Sequence, residues 1–364
     1  MNKQANDNAF MLTRLYDRGM KVVVIAGRSM GLKGSGSLPI YENMDGIPIY
    51  RLYKNLFDMF LFPNKALSKV IDVATELNPD VIFCSQELNM RLALSVQKVI
   101  KKPIVLLVED AGRIFSGEAH TSLKMKSAMK FFGIPSSGLG FWSWLCEKSA
   151  ALITCHPRDQ ENLSTLSKHG KPVYYLPWPS HIPEMELSEV KEKNKGIYVG
   201  SLYPFKNTKE FEWTLPLILE KTKTKQFIVI GPGPDVPLIM KLKEKYGDAI
   251  RYIDHMPRVE VLKLISSCYY AYTPVKIGGW GFIGDCWSVK TPVVMTHNDG
   301  YVIDNVNALI AEGEKGLLKS INGLYEDVGL YKRLQSAGLE EYEKRKSTVV
   351  GDNLYKILTS VACF

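Results

Sequence analysis

The chain lacks any apolar run of the roughly 18 to 20 residues needed to cross a bilayer. Its first twenty residues are polar and include Asp7, Arg14, Asp17 and Arg18. Neither a transmembrane helix nor a signal peptide is therefore expected. The six cysteines, Cys84, Cys146, Cys155, Cys268, Cys286 and Cys363, form no CxxC pair and no zinc-ligand spacing. They read as reduced thiols in a cytoplasmic protein. Internal repeats at solenoid spacing and low-complexity tracts are missing, as is a DxD motif that would suggest a divalent metal. No nucleic-acid recognition motif or aromatic-interleaved basic strip occurs, so nucleic acid is not an expected partner. The net charge of +8 favours an anionic partner all the same, and a sugar nucleotide or an acidic membrane surface would fit it.

What is present is an ordinary soluble composition, 46% hydrophobic and 23% charged over 364 residues, long enough for two domains. Short β-rich apolar runs alternate with helical stretches throughout, which predicts an α/β fold with parallel sheets. Strands are expected at 22–26, 81–84, 104–108, 152–154 and 173–176, then at 196–199, 227–230, 250–253, 269–272 and 293–296. Helices are expected at 9–18, 66–77, 89–100, 159–167, 208–220, 237–246, 258–266 and 317–346. Residues 1–177 and 196–340 read as two doubly wound, Rossmann-like domains, separated by a Pro-containing and then charged linker at 178–195. The segment 341–364 reads as a terminal helix packing back on the first domain. The usual opening strand and glycine-rich turn are not visible in MNKQANDN.

The most informative segment is YTPVKIGGWGFIGDCWSVKTPVVMT, Tyr272 to Thr296. It joins a strand to a glycine-rich loop, opens a helix and ends in a second apolar strand. Amides bared by Gly279, Gly281 and Gly284, with Phe282, Ile283 and Lys276 beside them, suit an anionic ligand at a helix N-terminus. Asp285 suits a ribose hydroxyl, or equally a helix N-cap. A nucleotide diphosphate is the first expectation.

Three further elements precede this segment in order: Gly200-Ser201-Leu202-Tyr203-Pro204-Phe205-Lys206-Asn207, Ile230-Gly231-Pro232-Gly233-Pro234, and Tyr252-Ile253-Asp254-His255-Met256-Pro257. Together the four resemble the donor domain of retaining GT-B glycosyltransferases of family four. The resemblance implies a GT-B fold with an interdomain cleft, a UDP-sugar or GDP-sugar as substrate, no other cofactor and no metal. It places Lys206 on the donor diphosphate, with Gly200, Ser201, Gly231, Gly233 and Pro234 lining the nucleotide. Two departures stand out. Ser201 occupies the position where the family has an arginine, leaving Lys276 as the substitute cation, and Ile277 replaces the first of two glutamates whose second is matched by Asp285.

In the first half, Ile104-Val108 leads into Glu109-Asp110-Ala111-Gly112-Arg113, where the family often has a histidine near the donor sugar. Glu109 or Asp110 is a candidate base, with Arg113 and His156 on the acceptor side; a local Asp110–Arg113 ion pair is the alternative. Ser122 to Trp144 mixes Lys124, Lys126 and Lys130 with Phe131, Phe132, Phe141, Trp142 and Trp144. That composition suits an anionic membrane surface and a lipid-linked acceptor, or else a core-facing helix and loop. The expected function is retaining transfer of a hexosyl unit to a glycan or lipid-linked acceptor by a cytoplasmic, peripherally membrane-bound enzyme. A sugar-nucleotide epimerase and a noncatalytic GT-B subunit are the alternatives.

Overall fold

A computed structural model describes residues 3–27, 39–53, 63–85, 89–108, 139–167, 170–187, 190–276, 280–298, 300 and 302–363. Glu109, Asp110, Arg113, Ile277, Gly279 and the Lys124 to Phe132 part of the basic-aromatic stretch lie outside the described residues. The chain divides into two compact units, one formed by 8–178 with 350–364 and the other by 1–7 with 179–349.

The first unit takes in most of α1 (Lys3–Asp17), then β1 (Val24–Gly27), β2 (Tyr41–Met44), β3 (Ile47–Tyr53), α2 (Pro63–Leu77), β4 (Ile82–Ser85), α3 (Met90–Ile100) and β5 (Ile104–Val108). It continues through α4 (Leu139–Lys148), β6 (Ala151–Thr154), α5 (Pro157–Leu166) and β7 (Val173–Tyr175). Strands β4-β5-β6-β7 form a parallel sheet, and β1-β3-β2 a second, smaller one. The run IVLLV of β5 is buried at every position, as a parallel strand covered on both faces requires. The β2–β3 hairpin is an addition to the expected strands. Its turn is Asp45-Gly46 with φ of 51° and 88°, the left-handed pair that a two-residue hairpin demands. Phe141 and Trp142 of α4 sit in the core with Leu106, Leu145 and Leu152. The aromatic end of the expected membrane stretch is therefore spent on packing, because burying two large rings outweighs presenting them to a surface.

In the second unit the order is β8 (Glu192–Val199), α6 (Phe211–Lys221), β9 (Gln226–Ile230), α7 (Val236–Tyr246), β10 (Ile250–Ile253), α8 (Arg258–Ser267), β11 (Cys268–Thr273), α9 (Trp280–Ser288), β12 (Val293–Met295), β13 (Leu309–Ile310), α10 (Gly313–Glu326) and α11 (Val328–Glu343). The six parallel strands lie in the order β10-β9-β8-β11-β12-β13. Strand order reverses between β8 and β11, so the loops leaving their carboxyl ends diverge and open a crevice there. The single helix expected over 317–346 is two. Asp327 ends the first and caps the second, its carboxylate accepting from Leu330 N at 2.8 Å.

The last helix, α12 (Ser347–Ala362), contributes Val350, Leu354, Ile357, Leu358 and Val361 to a core with Met11, Leu15, Val105 and Leu107 of the first unit. Asp352 on this helix accepts from Arg14 Nε at 2.8 Å and Nη2 at 3.2 Å, and from Arg18 Nε at 2.8 Å. Hydrogen bonds from the two guanidinium groups hold its carboxyl well below the usual carboxylate range. A depressed folded-state value stabilises the fold above the ordinary carboxyl pKa, and that contribution fades as pH falls through the folded value. Asp352→Asn should therefore lower the melting temperature at pH 7. The gap from wild type should shrink steadily below about pH 4, which thermal unfolding across pH checks.

Candidate functional site

The crevice is walled by loops whose backbones interlock. Gly200 N donates to Ile230 O at 2.9 Å, Leu202 N to Pro232 O at 2.8 Å and Asp235 N to Leu202 O at 3.1 Å. Gly231 and Gly233 have φ of 137° and 157°, and a Cβ on them would lie 2.2 Å from Gly200 O and 2.1 Å from Leu202 O. No side chain fits either position. The role of both glycines in the structure is thus to let the loops after β8 and β9 touch. Thr208 Oγ1 adds a hydrogen bond to Asp235 and another to Tyr203 O at 3.0 Å.

Pinned in this way, residues 204–206 make one 3-10 turn that ends on Lys206, and Asn207 follows with φ 61°. Lys206 is half-buried, while Tyr203 and Phe205 beside it are exposed and pack ring to ring at 5.5 Å. Lys276, at the end of the β11 loop, is exposed.

A polar cluster that the sequence did not reveal occupies the carboxyl ends of β8, β11 and β12. Glu210 Oε1 lies 2.6 Å from Asn207 Nδ2 and 2.6 Å from His297 Nε2, and Glu210 Oε2 accepts from Thr296 Oγ1 at 2.7 Å. Asn207 Nδ2 also reaches Pro274 O at 3.4 Å. His297 Nε2 also lies 2.8 Å from Asn207 Nδ2, so Glu210, Asn207 and His297 close a triangle of polar contacts. The imidazole remains 31% exposed. Glu210 lies four residues beyond Lys206 and His297 two residues beyond β12. Neither spacing matches a motif, which is why pattern reasoning passed them over.

Helix α9 starts at Trp280, so Gly281 and Gly284 are helical and not part of a loop, a correction to the expected glycine-rich turn. The helix N-terminus is the first turn, Trp280 to Ile283. Gly284 serves packing, since a Cβ there would meet the Trp280 ring at 3.1 Å. Phe282 and Ile283 are buried, Phe282 edge-on to Tyr198 at 5.5 Å. The helix is held from behind by Trp287 against Gly338 of α11, and by Arg345, whose guanidinium lies 4.0 Å from the Trp280 ring centroid.

Asp285 is only 5% exposed and is gripped by Arg258, Nη1 at 3.0 Å and Nη2 at 2.9 Å. Arg258 Nη2 also donates to His181 O at 3.1 Å. This buried fork explains why the carboxylate stands here, and it replaces the expected N-cap, which position six of a helix does not permit. Burial, with the Arg258 charge second, pushes the His181 pKa down. In β10, Tyr252 Oη lies 3.0 Å from Asp254 Oδ1 and 3.2 Å from Gly231 O, with its one proton to give, and desolvation pushes its pKa up to about 12.

In the first unit, His156 precedes α5 at its N-cap, where its carbonyl accepts from Asp159 N at 3.1 Å and its own amide donates to Thr154 Oγ1 at 3.2 Å. Among the described residues no group of His, Cys, Asp and Glu is arranged to hold a metal ion, and no helix is long and apolar enough to cross a membrane. Five cysteines are buried and Cys363 is exposed, all as free thiols.

No family model and no curated protein matches the chain by sequence. Solved structures do match it by shape. Sucrose-phosphate synthase of Thermosynechococcus elongatus superposes with a TM-score of 0.72 at 12% identity, over 97% of this chain and 92% of that one. An E. coli trehalose-6-phosphate protein bound with UDP-2-fluoro glucose gives 0.68 at 12% identity, over 100% and 96%. HepE of Anabaena in complex with UDP gives 0.66 at 13% identity, over 94% and 100%. The chain has the GT-B fold. The sequence resemblance to GT-B glycosyltransferases holds at the level of architecture, and the crevice at β8 and β11 lies in the second of the two GT-B units.

The loop lock is directly testable. Gly233→Ala should cost about 3 kcal/mol or more, because neither the conformation nor the space admits a methyl group. Gly247→Ala, at φ 59° and ψ −133° with nothing within 4 Å, should cost less, the backbone strain alone, about 1–3 kcal/mol. Denaturant unfolding of the two variants measures the difference.

Proposed function

We propose that this GT-B protein is a glycosyltransferase that moves a sugar from a UDP-sugar or GDP-sugar to a glycan or lipid-linked acceptor with retention of anomeric configuration. The observation that carries this reading is the placement of Lys206, the first turn of α9 and the Glu210–His297 pair at the carboxyl ends of β8, β11 and β12. A helix N-terminus and an ammonium suit a diphosphate, and both act most strongly as negative charge develops on the leaving group. Known structures of this fold were solved with UDP, UDP-glucose and UDP-2-fluoro glucose, which supports a nucleotide-sugar donor.

In the proposed mechanism the diphosphate sits between Lys206 and the amides of Trp280 to Ile283, with Lys276 as the second cation in place of the arginine that Ser201 lacks. Ribose is assigned to Asp285, whose oxygens it would share with Arg258. His297, its Nε2 held beside Glu210 and Asn207, is assigned to the donor sugar. The acceptor is assigned to the first unit, with Glu109 or Asp110 as the base and Arg113 and His156 nearby. The reaction proposed needs no metal, since Lys206 and the helix amides supply the positive charge.

Lys206→Ala should lower donor turnover by a factor on the order of a hundred, the scale of losing one leaving-group contact. His297→Ala should reduce kcat by at least about tenfold while donor Kd, read by calorimetry, stays within about twofold. Turnover of Lys206→Ala at the wild-type rate would sink the assignment of the diphosphate.

A second reading, a noncatalytic nucleotide-binding subunit, draws on Ser201 and on the prior engagement of Asp285 by Arg258. Product analysis separates the two: UDP-sugar bound without any released or transferred sugar, across an acceptor panel, favours the subunit.

A further inference from the structure

The first unit has a cavity of about 980 Å³ that no step of the proposed reaction uses. It opens at the amino ends of β5, β6 and β7, the edge opposite to that at which an open α/β sheet takes its substrate. Lys98 and Lys101 come from the end of α3, Lys102 from the turn into β5, and Lys171 from the turn into β7. Among the described residues no aspartate or glutamate lines it. Pro103, Pro172, Tyr174 and Val361 give it an apolar wall.

Four ammonium groups around one cavity repel one another unless an anion joins them. Lys98 follows the ordinary preference for a cation in the last turn of a helix. Lys171 arrives from a separate segment and serves the C-terminus of a second helix, α4. Its Nζ donates to Ser149 O at 2.8 Å and to Glu147 O, the carbonyls closing α4, which fixes the ammonium at the cavity and leaves one of its three hydrogens over. Lys102 has Asp80 at 3.9 Å, but that carboxylate is 85% exposed, and so wet and long a pair neutralises little. The charged side chains lining the cavity are thus all of one sign, and the volume exceeds what a bare inorganic ion fills.

We propose that this cavity binds a phosphate-bearing molecule, its phosphate held by Lys98, Lys101, Lys102 and Lys171 and its organic body lying on Pro103, Pro172, Tyr174 and Val361. Lysines are point-charge phosphate ligands, and a phosphate group with nearly two negative charges matches several of them at once. A soluble phosphate ester and a phospholipid headgroup present the same chemistry.

The test uses the full chain at about 50 mM salt, where such contacts are only partly screened. Pyrophosphate is titrated by calorimetry, and flotation is measured on phosphatidylglycerol vesicles against pure phosphatidylcholine. Three variants are compared with wild type: Lys98→Glu with Lys101→Glu, both on exposed side chains; Lys241→Glu with Lys243→Glu on α7, which change the charge equally elsewhere; and Lys206→Ala. The expected result is binding of at least one probe, weakened at least about tenfold in the first variant and kept in the other two. Pyrophosphate binding points to a soluble ester, and binding to anionic vesicles alone points to a headgroup. Milder Lys98→Gln with Lys101→Gln should give an intermediate loss at an unchanged melting temperature, which separates a binding effect from unfolding. Absence of binding to both probes, equal loss in the Lys241 and Lys243 variant, or loss only in Lys206→Ala would each overturn the proposal. The last outcome would place the anion at the donor site instead.

Discussion

Two loops at the carboxyl ends of neighbouring strands share so little space that a single methyl group on Gly233 would stand 2.1 Å from the Leu202 carbonyl. Almost everything proposed for the second unit hangs on that contact. The chain leaving β8 is pressed onto the chain leaving β9, and three backbone hydrogen bonds plus Thr208 and Asp235 keep it there. Only with the β8 loop fixed does the short turn ending on Lys206 have one position, and only then can Asn207 and Glu210 meet His297 from the other side of the switch point. A site of this kind is rigid because its supports are backbone, with few rotamers to freeze.

Charge in the crevice is arranged differently from the family resemblance. Ser201 removes a cation and Ile277 removes a carboxylate from positions that the resemblance assigns to them. The structure has a carboxylate at Glu210, tied to an imidazole, and an arginine at Arg258, tied to Asp285. Each charge is delivered together with its partner. Partnered charges lose less on leaving water than isolated ones, so such pairs can persist in a half-buried crevice. The cost is that Asp285 is engaged before any ribose arrives, which raises the demand on whatever nucleotide binds.

Much of the fold was legible because its signals are local. Ile104-Val108 is an apolar run and Ile250-Ile253 a short β-rich one, and both strands appear with those bounds. Misses trace to particular residues. The strands around Asp45-Gly46 are short and partly polar, although the dipeptide itself is a strong hairpin signal. Asp327 reads in the sequence as one helical residue among many, whereas in the structure it caps a new helix. The glycines of 279–284 looked like a loop from composition alone, whereas burial of Trp280, Phe282, Cys286 and Trp287 pays for a helix that runs through two of them. Site residues divide in the same way. Lys206 carries a sequence context, but Glu210, His297 and Arg258 become a site only through contacts 27 to 87 residues apart in sequence, and no linear motif records those.

The central claim is that the second unit takes a nucleotide diphosphate at the carboxyl ends of β8 and β11. A crystal structure of the protein grown with UDP tests it most directly. The account predicts diphosphate density within hydrogen-bond reach, about 2.7–3.2 Å, of Lys206 Nζ and of an amide in the first turn of α9. UDP bound elsewhere, with Lys206 still turned away from it, would contradict the account.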